Sequence, residues 1–256
     1  MPDLFVTIDR RPDGVALVRL DRPKANALSG AVLGQIYDAV EELRTDLPGA
    51  VVLWGGRRIF AAGADIVELG EGASSVGSNF TTALGALASL PRATIAAVNG
   101  YALGGGLELA LTCDFRVCAE DSKLGLPEIL LGVIPGGGGT QRLARLIGSS
   151  RAKDLIFSGR HVRSDEALSI GLVNRVVPAD DVLDTALAWA ADLARGALVA
   201  QGLVKDAIDK GLEGTLPDGL AIEQSAFRQV AKTEDAKRGI TSFLEHGPGK
   251  ATFVGK

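Results

Sequence analysis

The chain has 256 residues, 46% of them hydrophobic and only 5% aromatic, so its core must be built from Ala, Val, Leu and Ile. Its 31 acidic and 27 basic residues are interspersed and leave a net charge of −4, which excludes a basic stripe for nucleic acid or an anionic membrane. Met1–Arg10 carries Asp3 and Asp9 around a short apolar run, and no stretch of about 18 uncharged apolar residues occurs. We therefore expect neither a signal peptide nor a membrane span. His161 and His246 are too few and too far apart to suggest a metal site. Cys113 and Cys118 lie an odd number of positions apart on an expected strand and so face opposite sides. No mutual disulfide is expected, and the chain reads as soluble and cytoplasmic.

In chain order, Leu4–Ile8 and Gly14–Leu20 alternate apolar and polar residues around the turn Arg11-Pro12-Asp13-Gly14, and predict a hairpin. Asp21–Leu28 cannot continue it. Ser29 is placed to cap a helix whose apolar residues Val32, Leu33, Ile36, Ala39, Val40 and Leu43 follow the 3.6 period. Val51–Trp54 reads as a strand, and Gly55–Asp65 as a loop of small residues entering a helix near Ile66. Gly70–Ser78 is Gly- and Ser-rich, a candidate mobile segment, before a helix from about Asn79 to Leu90. Thr94–Val98 is a strand that stops at Asn99-Gly100, after which a helix is expected.

Phe115–Cys118 and the neighbourhood of Leu124 supply further strand, and Thr140–Ile147 and Arg151–Phe157 further helix. Strand, strand and helix keep returning with short connections. That order predicts stacked turns of a superhelix rather than one doubly wound sheet. Beyond Val173–Val177 and Pro178 come consecutive helices near Asp181–Arg195, Leu198–Lys210, Gly219–Lys232 and Glu234–His246. Apolar stripes at Ala186, Leu187, Ala190, Leu193 and Ala194, and at Leu220, Phe227 and Val230, need a partner: either the chain's own core or a second subunit.

The stretch Thr94–Gly139 reads as the active site. Gly104, Gly105 and Gly106 bring bare backbone to the start of a helix, where orphan N–H groups and the helix dipole favour negative charge. Glu108 stands among leucines and alanines in that first turn, and Glu128 follows Pro127 and precedes Ile129-Leu130-Leu131. Each acid alone is equally explained by dipole stabilisation of a helix start. Two acids in apolar settings, both flanked by glycine loops, point instead to a catalytic pair. Asp65 could be taken for a third catalytic acid, but a helix N-cap is the favoured reading.

Three strings then carry a resemblance: Ala61-Ala62-Gly63-Ala64-Asp65-Ile66, Ile95–Gly106, and Pro127-Glu128 with Pro135–Leu143. Together with Lys24-Ala25-Asn26-Ala27-Leu28, Ala167–Val173 and the terminal Phe253-Val254-Gly255-Lys256, this ordered set resembles the enoyl-CoA hydratase (crotonase) family from end to end. The resemblance implies an α/β fold, a crotonase-like superhelix of β-β-α turns with a helical C-terminal region. Residues 1–193 would form the spiral core carrying the acyl-CoA site, and 194–256 a helical oligomerisation region building a homotrimer or a dimer of trimers. The substrate would be a coenzyme A thioester, with no separate cofactor.

The resemblance also implies that the N–H groups of Ala64 and Gly105 form an oxyanion hole, and that Glu108 and Glu128 are the two catalytic glutamates. Lys24, Ala25 and Ala27 match the segment that meets the coenzyme A head. Phe253 and Lys256 would approach its adenine end, from a neighbouring subunit if the chain is oligomeric. Leu28, Ala62, Asp65, Ile66, Tyr101, Gly104, Pro127, Leu131 and Gly136 complete the implied substrate contacts. Leu126 departs from the polar residue many hydratases carry there. It and Gly70–Ser78 bear on acyl-chain preference.

The chemistry fits the residues independently. Adding water to the double bond of an enoyl thioester places negative charge on the carbonyl oxygen, which two fixed donors stabilise. One carboxylate takes a proton from water while the other protonates carbon, and two such neighbours cannot both ionise freely. We assign water activation to Glu108 and carbon protonation to Glu128. The expected activity is enoyl-CoA hydration, as in fatty-acid β-oxidation. Its alternatives are another enolate reaction of the same fold, such as isomerisation or acyl-CoA hydrolysis, or non-catalytic acyl-CoA binding.

Overall fold

The computed structural model describes residues 3–71 and 73–256; Met1, Pro2 and Gly72 lie outside the described residues. The hairpin forms as expected, from β1 (Val6–Arg10) and β2 (Val15–Leu20), antiparallel with Val6 opposite Leu20. Ser29 accepts the Val32 N–H at 3.3 Å and starts α1 (Gly30–Thr45), whose six predicted apolar residues are all buried. β3 (Ala50–Trp54) is apolar on both faces, as a strand inside a covered parallel sheet must be.

The loop from Gly55 leads to α2 (Ile66–Glu71) and α3 (Ala73–Ala88), so the second helix begins at Ala73 rather than Asn79. The described part of Gly70–Ser78 is therefore helical, and the expected start of the second helix near Asn79 is corrected. Phe80, Ala83, Leu84 and Leu87 explain it: their buried stripe anchors the helix, and tertiary packing carries it back through residues of weak propensity. β4 (Ala93–Val98) stops at Asn99-Gly100, but the short strand β5 (Tyr101–Leu103) precedes α4 (Gly105–Leu111).

β6 (Phe115–Ala119), β7 (Lys123–Gly125), a 3₁₀ turn at Pro127–Leu131, α5 (Gly139–Ile147) and α6 (Ser149–Ser158) follow. Cys113 lies in the turn before β6, not on the strand, and both cysteines are buried and unpaired. β8 (Val162–Arg163) and α7 (Ser164–Ser169), both too short to show a pattern, lead to β9 (Arg175–Val177) and then α8 (Val182–Ala194).

Two layers result. The larger sheet runs β1-β2-β3-β4-β6-β9, parallel throughout after the first hairpin, and the smaller runs β5-β7-β8. Single bridges Ala61–Ala102 and Leu28–Ala64 extend the smaller layer. Each pass of the chain thus lays one rung in each layer: β3 then Ala61–Ala64, β4 then β5, β6 then β7. That is the expected superhelix. One core, with Leu28, Phe60, Ala102, Leu107 and Leu124, fills the interior of the spiral. A second lies on the other face of the large sheet, where Val15, Leu17, Val52 and Ile95 meet Val182, Ala186 and Ala190 of α8. The α8 stripe therefore packs on its own chain.

The remaining helices behave differently. α9 (Leu198–Gly211), α10 (Leu216–Val230) and α11 (Glu234–His246) bury no apolar side chain fully among the described residues. α10 starts at Leu216 rather than Gly219 because Thr215 and Asp218 form a reciprocal capping box. Lys205 ties α9 to the body through Asp114 at 3.0 Å. Among the described residues, no helix is long and apolar enough to cross a membrane.

Candidate active site

The bridge between Leu28 and Ala64 decides where one backbone donor points. Leu28 donates to the Gly63 carbonyl at 2.8 Å and accepts the Asp65 N–H at 3.1 Å, so the N–H of Ala64 itself faces away from this pairing. It faces the first turn of α4: a Cβ placed on Gly105 would stand 3.3 Å from the Ala64 nitrogen. Among the described residues, neither the Ala64 nor the Gly105 N–H donates to another group of the chain. Gly63 makes this approach with φ +117°, a region that L side chains rarely adopt. At Gly106, a Cβ would overlap the Ala61 carbonyl.

Three residues that the sequence reading did not single out hold this loop. Asn26, buried at φ +48°, donates to the carbonyls of Gly55 at 2.7 Å and Phe60 at 3.1 Å and accepts the Arg22 N–H at 2.8 Å. Arg22 donates to the Ala27 carbonyl and pairs with Asp65 at 2.7 Å, which holds the Asp65 carboxyl below its usual range. Asp65 also accepts the Val67 N–H at 3.0 Å, the capping role expected of it. The third is Phe80 of α3, whose ring lies against both Gly105 and Gly137. Asn26 between two alanines was the visible signal, since Asn tolerates the left-handed conformation.

The two glutamates are met unequally. Glu108, buried in α4, accepts the N–H groups of Gly137 at 2.8 Å and Gly139 at 2.7 Å on one oxygen. Burial still raises its pKa, against those two bonds and the nearby Arg142 charge. Glu128 enters from the 3₁₀ turn, near enough to Gly104 that a Cβ there would lie 3.2 Å from Oε1. Its Oε2 is buried without a partner. Burial, assisted by the Glu108 charge, pushes the Glu128 carboxyl up to about 7. One acid is thus supported as an anion and the other poised near neutrality, the separation that acid–base chemistry requires.

The other implied contacts scatter. Ala25 accepts the Ala62 N–H at 3.0 Å, so the two edges that carry Lys24, exposed at φ +78°, and the exposed Ala62 run together. Leu28 is fully buried and Ile66 exposed, while Pro127 opens the turn that carries Glu128 and the exposed Leu131. Gly136 is exposed beside the glycine loop. Leu126 packs under Gly139 in the core, so its apolar character serves the loop's underside. Tyr101 turns its ring edge-on to His161, with Lys123 over its face. Phe253 rests on Gly239 of α11, and Lys256 lies in a tail that the buried Asp235 grips through the N–H groups of Val254 and Gly255.

The chain is similar to known proteins over nearly its whole length. Residues 10–254 match the family model for enoyl-CoA hydratase/isomerase. A short-chain-enoyl-CoA hydratase of Clostridium acetobutylicum is 42% identical over 238 residues, 90% of this chain and 91% of that protein. A 2,3-dehydroadipyl-CoA hydratase of Escherichia coli is 42% identical over 249 residues, 96% of each. The crystal structure of an enoyl-CoA hydratase from Bacillus anthracis superposes with a TM-score of 0.93 at 38% identity, covering 99% of this chain and 100% of that one.

Proposed function

The chain belongs to the enoyl-CoA hydratase/isomerase family, and we propose that it works as an enoyl-CoA hydratase, adding water reversibly across the 2,3 double bond to give a 3-hydroxyacyl-CoA. The observation that carries this reading is the unequal acid pair: Glu108 holding two backbone donors on one oxygen, Glu128 pushed up to about 7 with a buried unpaired oxygen. Glu108 takes a proton from water as the hydroxyl adds to the β-carbon. The electrons move onto the thioester oxygen, which the Ala64 and Gly105 N–H groups stabilise. Glu128 then gives its proton to the α-carbon as the double bond's charge returns. Isomerisation would not need a water-activating base held this way. Loss of the ultraviolet absorbance of conjugated enoyl thioesters, followed across chain lengths, tests the reading; no loss with any of them would sink it.

The acyl chain is left open by relatives of equal identity, one named for short chains and the other for a dehydroadipyl thioester. No cofactor beyond the substrate's own coenzyme A enters the chemistry. We assign the site to residues 1–193 and assembly, as a homotrimer or dimer of trimers, to 194–256. The unburied apolar side chains of α9 to α11 support that division. The two buried, unpaired cysteines fit a reducing, cytoplasmic setting.

A further inference from the structure

Glu108 reaches its two N–H donors because Gly137–Gly139 arches over it, and no strand pairing holds that arch. Arg142, in α5, does. Its Nη1 donates to the Gly137 carbonyl at 2.9 Å, and the guanidinium lies so close to Gly138 that a Cβ there would overlap it. The backbone N–H groups of Gln141 and Arg142 take the Gly138 carbonyl at 3.0 and 2.8 Å. The loop is therefore tied to α5 at two successive carbonyls, leaving its N–H groups free to face Glu108. Among the described residues Arg142 forms no salt bridge, so its side chain is committed to this carbonyl. The charged groups around it are Glu108 of α4 and Asp209 of α9, and Glu108 in turn faces Glu128 of the 3₁₀ turn.

We propose that Arg142 is a positioning residue for the hydration: its grip on the Gly137 carbonyl aims the N–H donors of Gly137 and Gly139 at Glu108, the acid that accepts the proton. A glycine loop has no side chains of its own to fix it, and a guanidinium anchored in the next helix supplies that hold through Nη1. The proposal rests on the hydratase reading for what Glu108 does, while the grip and its effect on the Glu108 charge stand apart from it.

The test compares Arg142→Gln and Arg142→Lys by the pH profiles of kcat and KM, and by infrared titration of the Glu108 carboxyl assigned against Glu108→Gln. Gln keeps a donor but is too short to hold the Gly137 carbonyl from α5. It should lower kcat at neutral pH by ~10–100-fold with KM within ~3-fold, and move the Glu108 titration and the acid limb up by about one pH unit. Lys, which restores the charge without the guanidinium that holds Gly137, should leave the titration raised and recover little of the rate, and its return of both to wild type would overturn the proposal by making charge alone sufficient. A Gln variant with wild-type titration and acid limb overturns the proposal. So does equal loss of rate in both folded variants with the titration unmoved, which would make Arg142 a structural brace. If Gln does not fold by circular dichroism, a Lys variant titrating as wild type overturns it, and one titrating a full unit higher supports it. If the wild-type enzyme hydrates no enoyl thioester, the infrared titration still decides the grip while the hydratase reading fails separately.

Discussion

Glu108, in the first turn of α4, accepts the N–H of Gly139 at 2.7 Å across 31 residues of chain. The same oxygen accepts Gly137, so two backbone dipoles converge on one acid while Glu128 receives no donor on its buried Oε2. Hydrogen bonds to a carboxylate favour its charged form and burial opposes it. The difference in donors thus separates the two carboxyls within one site, as the proposed base and acid require.

Glu108→Gln should keep the fold, because an amide oxygen can accept both N–H groups in place of the carboxylate oxygen. What it cannot do is take a proton. Turnover should fall by ~10²–10⁴-fold with thioester binding nearly unchanged. Steady-state kinetics with a bound-thioester titration check this; near-wild-type turnover would remove Glu108 from the mechanism.

Glu128 makes a prediction whose sign runs against the usual acid. Its folded pKa stands near 7, above an ordinary value of 4.5, so the folded state holds a proton that the unfolded state has lost between those values. Stability should therefore fall as pH rises from about 4.5 to about 7 and stay reduced above it. Glu128→Gln removes that penalty. It should be more stable than wild type by on the order of 1–3 kcal/mol at pH near 8 and little changed near 5, while turnover drops. Urea unfolding at both pH values measures it, and equal effects at both would refute the raised pKa. In wild type, kcat should decline above about pH 7 as the donor loses its proton.

The α1 stripe, the first hairpin and the two acids could be read from the sequence because each is a local pattern: a 3.6 period, an alternation around a turn, a charge among leucines. β5 and β8 could not, and β7 only as a trace of strand near Leu124, since strands of two or three residues have no period and exist only through pairing with distant rungs. The same limit applies to the site. Asn26 matters because Gly55 lies 29 residues away, and Arg22 because Asp65 lies 43 away. Phe80 reads as one apolar residue of a helix until the fold sets it between two glycine loops. Local chemistry is visible in a sequence; what braces that chemistry is not.

Val204, Ile208 and Leu212 recur every fourth residue along α9 and its C-cap and are 57%, 56% and 66% exposed, a face with no cover among the described residues of the single chain. The intact protein should sediment as an oligomer at micromolar concentration, and Val204→Lys with Ile208→Lys should reduce it to smaller species without unfolding the spiral core. A monomeric intact protein would sink the assembly role given to residues 194–256.

The Gly105 donor can be probed through the ring that crowds it. A Cβ at Gly105 would lie 2.6 Å from the Phe80 ring, so Gly105→Ala must push either the ring or the start of α4. Phe80 is itself buried and also touches Gly137, so the ring has little room and α4 should yield. That movement carries the Gly105 N–H off the line it shares with Ala64. Turnover should fall by roughly 10²-fold, the size of one lost oxyanion donor, although the N–H is still present. Phe80→Leu alone should cost stability by about 1 kcal/mol and little activity. The double variant should recover most of the lost rate, a coupling of at least about 1 kcal/mol in a kinetic double-mutant cycle. Additive losses would mean that Gly105 is needed for close approach of the thioester rather than for the placement of its N–H.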